Sequence, residues 1–162
     1  MYYLNVTIHV LAALFWLGGL FFLAAVGAPV LRRVEPPELR AELFRGLGER
    51  ARAVGWIAIA VLLVTGVLNL HFRGVLSWSK LGSAAFWATP FGYALGWKLT
   101  AVAAMLVVQS VHDFVVGPRA STLRAGTPEA LRNRRRAALL ARASAVIGLV
   151  IVIAAVRLAR GG

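Results

Sequence analysis

Cysteine is absent from the 162 residues, which removes disulfides, thiolate metal sites, iron–sulfur clusters and cysteine nucleophiles together. Acids are scarce as well: six Asp and Glu stand against 18 Lys and Arg, a formal net charge of +12. No carboxylate pair for general acid–base work is present. No Ser-His-Asp spacing or Gly-rich phosphate loop stands in for it, so hydrolytic chemistry has no support. Methionine occurs only twice, which weighs against a thioether-lined conduit for Cu(I). What the chain does hold is apolar: 60% of residues, against roughly 45–50% in soluble domains, with a mean hydropathy of +0.77. That excludes a disordered chain and an ordinary water-soluble globule. The length suits one domain, and its surplus apolar surface has to face lipid.

Four apolar stretches, residues 3–31, 53–72, 92–116 and 137–158, each reach the ~20 residues that cross a hydrocarbon layer of ~30 Å. The first exceeds a signal-peptide core and lacks a small-x-small end, so it reads as a retained helix. Lipid permits only helices or closed barrels. Short connections then predict an all-α, integral-membrane antiparallel four-helix bundle over residues 1–162, and no internal repeat is evident.

The arginines sort by loop. Arg32, Arg33, Arg40, Arg45, Arg50 and Arg52 lie between spans one and two; Arg119, Arg124, Arg132, Arg134, Arg135 and Arg136 lie between spans three and four, with Arg142 just inside the fourth. The middle loop has Arg73 and Lys80. By the positive-inside rule the first and third loops are cytoplasmic, and both termini lie on the external side of a bacterial-type plasma membrane. The pI of 11.8 is thereby a topology signal, and nucleic acid is not an expected partner. Pro36-Pro37-Glu38 predicts an amphipathic helical segment running on into span two, and Thr127-Pro128-Glu129 predicts a helix start well ahead of span four. Trp78, Phe86, Trp87, Phe91 and Tyr93 crowd the middle loop, as an interfacial aromatic belt would.

Ionisable residues inside spans are costly and mark function by default. Here they are His9, His71, Lys98, His112 and Asp113. His9 and Lys98 each lie about six residues, or ~9 Å, from the external end of their helix, so a bundle brings them to one level. His71 is shallower, and His112 with Asp113 falls near the opposite end. Trp16 shares a face with His9, and Thr65 with Asn69 forms a polar stripe at i,i+4. Ala12, Ala13, Gly18 and Gly19 keep helix one thin beside the histidine, which suits either a flat cofactor or close helix packing. His9 could equally be a neutral buried histidine bonded to a helix carbonyl, and Lys98 could snorkel outward.

A histidine in an apolar bundle is a standard axial ligand for haem. The expected cofactor is haem b, held by His9 with Lys98 as second ligand or propionate partner; His71, Asn69 and Trp16 complete the candidate binding residues. Copper is the alternative metal, on His9 and Lys98 with His71 and His112 as further ligands. The expected partners are lipid, haem or a porphyrin, and a redox partner or second copy of the chain. A cofactor-free assembly subunit of a larger membrane complex is the remaining alternative.

YYLNVTIHVLAALFWLGGLFFL, with its aromatic start, histidine and Trp-x-Gly-Gly-Leu, resembles the opening helix of the HemJ-type protoporphyrinogen oxidases and the related CopD copper-resistance membrane domains. ERARAVGWIAIAVLLVTGVL resembles their second helix and GWKLTAVAAMLVVQSVHDFVVGPR their third. The resemblance implies a four-helix membrane haem-b fold with His9 and Lys98 as the functional pair. It implies an oxidoreductase of the protoporphyrinogen-oxidase kind, or, from the CopD side, a copper-handling permease.

Overall fold

The computed structural model describes residues 1–122 and 127–161; Arg124 of the third loop lies outside them. The described residues form helices, turns and no strand, in agreement with the all-α expectation. Four helices are long and apolar enough to cross a membrane: α1 (Tyr2–Leu31), α2 (Pro37–Phe72), α3 (Pro90–Arg119) and α4 (Pro128–Ala159). Large apolar side chains such as Leu14, Ile57 and Ile153 stand more than half exposed. Water would not tolerate a surface of this kind over four helices, and lipid would.

Local chemistry sets the helix starts. Pro36 is extended and Pro37 opens α2, with Glu38 in the first turn. The helix begins sixteen residues before the apolar stretch, so ~24 Å of it precedes the span, as the sequence predicts. Thr127 caps α4, its hydroxyl oxygen accepting from the Ala130 amide at 3.2 Å, followed by Pro128 and Glu129. Thr89 caps α3 in the same way, accepting from the Gly92 amide at 3.0 Å. Gly92 is obligatory there, because a Cβ would overlap the Phe86 carbonyl. Two short helices, Trp78–Leu81 and Ala84–Ala88, precede α3 and are tied by the Trp87 indole donating to the Leu81 carbonyl at 2.8 Å.

The chain divides into two compact units, Met1–Ser77 and Trp78–Gly162. The first is an antiparallel hairpin of α1 and α2. Its register is fixed by contacts that run in opposite directions along the two helices: Arg73 Nε to Tyr2 Oη, Asn5 to Asn69, His9 to Thr65. The second contains α3 packed on α4, where the Asn133 amide donates to the Val116 carbonyl at 3.1 Å.

Both units depart from regular helix at one place. Leu23–Gly27 in α1 and Val111–Val116 in α3 are π-helical turns. The Ala28 amide reaches five residues back to the Leu23 carbonyl, and the Gly117 amide five back to His112. A proline follows each, Pro29 and Pro118. A proline ring presses on the carbonyl four residues earlier and offers it no proton. Widening the preceding turn relieves the contact, as spanning helices do around proline. The two prolines are 89 residues apart, and the same shift relates buried Asn5 to Ala94, Trp16 to Met105 and Thr65 to Ala154. It also relates His9 to Lys98. The hairpin pattern therefore recurs in the structure, which corrects the sequence reading. Few residues match at this spacing, so only the burial pattern and the wide turns reveal it.

Candidate functional site

Polar links between α1 and α2 concentrate in one cluster in the first unit. Asn5 is buried and its side-chain amide donates to the Thr65 carbonyl at 2.9 Å and to Asn69 Oδ1 at 2.9 Å. One turn further along α1, His9 Nδ1 lies 2.7 Å from Thr65 Oγ1. The buried Thr65 hydroxyl donates to the Val61 carbonyl at 2.6 Å, which uses its single proton. Oγ1 must then accept from His9, so the ring proton sits on Nδ1 and the lone pair on Nε2, an assignment that follows from the network. Gly66 lies against the ring, its missing Cβ 3.6 Å from Cε1.

Beside this cluster the same hairpin has an apolar groove of about 580 Å³, lined along α1 by Ile8, Leu11, Ala12 and Phe15 and facing Ile57 and Val61 of α2, among others. The groove is apolar throughout its walls. It can hold hydrocarbon or a flat macrocycle, and it offers no polar anchor of its own.

The structure brings together three of the sequence-predicted positions within the first unit. His9, Thr65 and Asn69 meet in the cluster. Trp16 is buried on α1, two turns from His9, without entering the hydrogen bonds that tie His9. His71 is exposed in the last turn of α2 and stands edge-on to Phe72. Lys98 is half-buried on α3, in the second unit. Asn5 was not among the candidates. Its signal was available, because Asn5 and His9 at i,i+4 put two polar side chains on one face of an otherwise apolar helix.

A second polar group occupies the wide turn of α3. Asp113 is buried; Oδ2 accepts from Gln109 Nε2 at 2.8 Å, and Oδ1 lies 2.8 Å from His112 Nδ1. The sequence reading placed His112 and Asp113 near the end of span three. The structure gives the carboxylate a constructed environment there. No group of three His, Asp or Glu able to hold a metal ion occurs among the described residues, so a preformed copper cluster is not among their features.

Comparison with known proteins overturns the family resemblance. Residues 11–129 match a domain of unknown function, DUF4149, and neither the HemJ-type oxidases nor the CopD domains. An uncharacterized protein of Aquifex aeolicus (strain VF5) is 38% identical over 65 residues, which cover 40% of this chain and 44% of the relative. The match therefore spans less than half of that protein. No solved structure matches. The matched family region contains Thr65, Asn69, Lys98 and Asp113 and begins two residues after His9.

Proposed function

The chain belongs to the family of the domain of unknown function DUF4149, which carries no chemistry with it, and from the residues themselves we propose a membrane-embedded haem-b-binding protein with a redox or haem- and tetrapyrrole-handling role. One observation carries this reading: the Thr65 hydroxyl accepts from His9 Nδ1. Metal-ligating histidines characteristically donate their other ring nitrogen in this way, which fixes the tautomer and the ring plane. Nε2 then carries the lone pair, which can accept a hydrogen bond from a proton donor or would be donated to iron. His9 would hold the iron, Thr65 would orient the ring, and Asn5 with Asn69 would keep the helices in register. The apolar groove of the same hairpin, which His9 does not line, offers room for apolar bulk along α1. Bound haem supplies one-electron chemistry at its iron. A redox role calls for an electron partner, either another protein or a second copy of this one.

The test is an absorption spectrum of detergent-purified protein expressed with ample haem, air-oxidised and then dithionite-reduced, with metal analysis on the same sample. The expected result is a Soret band that sharpens on reduction, iron near one per chain, and loss of both in His9→Ala. A colourless wild-type protein, or full haem occupancy in His9→Ala, would overturn the assignment. Copper in a colourless sample would move it to copper handling.

The same reading puts the protein in a bacterial-type plasma membrane with the arginine-rich connections in the cytoplasm and both termini outside, supported by the arginine distribution. Because the chain lacks cysteine, single-cysteine labelling needs no background removal. In intact cells, Ser79→Cys should react with a membrane-impermeant maleimide, and Glu42→Cys should react only after lysis. The reverse pattern would invert the topology.

A further inference from the structure

The outward face of α4 is one continuous stripe. Arg132, Arg135, Leu139, Arg142, Val146, Leu149, Ile153 and Val156 follow one another at steps of three and four residues, the spacing that keeps side chains on one helix face. Every member is exposed, from Leu139 at 61% down to Leu149 at 47% among the apolar ones. The opposite face carries the buried Ala130, Asn133, Ser144, Ala154 and Leu158. The stripe is thus a face of α4 that no described residue covers, and at its N-terminal end it changes from hydrocarbon to guanidinium.

Charge complementarity identifies what meets that end. After Glu129, α4 has no acid among its residues and carries Arg132, Arg135 and Arg142 on the exposed stripe. The matching extension of α2 differs: its arginines are interleaved with Glu38, Glu42 and Glu49, so most of its charge is offset locally. Arg142 lies five residues inside the apolar stretch, ~8 Å along the axis. From there a long side chain reaches the headgroup level by lying along the helix. Arg135 and Arg132 stand ~10 and ~15 Å further along the same line. We propose that the stripe binds the headgroup of an anionic phospholipid, the three guanidinium groups taking the phosphodiester while Leu139 and Val146 pack its acyl chains. Arginine suits this task because its planar fork pairs with two phosphate oxygens at once. The occupant is a lipid and not an acidic protein segment, because the arginines continue a face whose remainder is apolar over the whole span.

The test uses the full-length protein in detergent, with thermal unfolding followed as short-chain phosphatidylglycerol or phosphatidylcholine is added. Wild type should be stabilised by phosphatidylglycerol at far lower concentration than by phosphatidylcholine. At roughly fivefold per arginine near the surface, Arg132→Gln/Arg135→Gln/Arg142→Gln should raise the half-saturating phosphatidylglycerol concentration about a hundredfold. The triple lysine variant, which keeps charge but not the fork, should fall between wild type and the triple glutamine variant. Arg45→Gln/Arg50→Gln in α2 should match wild type. Equal response of wild type to both lipids, or equal losses from the α2 and α4 variants, would overturn the proposal. So would unchanged binding in the triple glutamine variant, or displacement of phosphatidylglycerol by an acidic peptide at equal charge concentration.

Discussion

Thr65→Val should lower haem affinity about 10- to 100-fold, the usual effect of removing the group that orients a metal-bound histidine. Valine keeps the shape and removes the hydroxyl that joins His9 Nδ1 to the Val61 carbonyl. The Val61 carbonyl keeps its place in the α2 ladder, so the loss falls on the imidazole. Its ring proton no longer has an oxygen at 2.7 Å, and both tautomers become accessible. Haem titration of the apo variant measures the affinity. A second readout separates binding from folding: interhelical hydrogen bonds in membranes contribute about 0.6 kcal/mol each, so unfolding in mixed micelles should shift only slightly. An affinity equal to wild type would mean that Thr65 does not set the His9 ring.

Asp113→Ala should be the more damaging change for the second hairpin. It removes the acceptor for Gln109 Nε2 and the partner of His112 Nδ1 in one step, in a turn that is already wide. Leaving a buried amide and an imidazole without their carboxylate costs about 3 kcal/mol. Asp113→Asn retains one carbonyl oxygen for the Gln109 amide and should lose roughly half as much. Gln109→Ala added to Asp113→Ala should cost little more, since its partner is already gone, and a double-mutant cycle of unfolding free energies reads that coupling directly. Additive losses would show that Gln109 and Asp113 act separately.

The membrane fold was legible because it rests on runs of apolar residues and on prolines and caps, all local properties. Pro37 and Pro128 marked their helix starts correctly. Three of the four residues of the polar cluster were legible too: His9, Thr65 and Asn69 were visible as rare polar groups in apolar helices. Asn5 was missed because it stands near a helix end, where an asparagine draws no notice until the neighbouring helix shows it facing Thr65. Asp113 was read as a terminus for a related reason. Hydropathy ends the span at Val116, whereas the helix continues to Arg119, so the carboxylate stands within the helix and not at its end. The wide turns were out of reach, since Pro29 and Pro118 signal a disturbance without saying how the backbone absorbs it. The mistaken family resemblance had the opposite cause: short apolar motifs were given more identity than helices of this composition can carry.

A wide turn holds one residue more than the regular helix it replaces, and the helix on either side keeps its orientation. Deleting a residue from Leu23–Gly27 or Val111–Val116 would restore an ordinary turn without rotating Asn5, His9 or Met105 away from their partners. A deletion elsewhere in α1 or α3 would swing everything beyond it by about 100°. These two places are therefore where the length of the chain can drift by one during evolution. Family members that have exchanged the following proline for another residue should be one residue shorter there, and an alignment of DUF4149 sequences should show its single-residue gaps in those two turns.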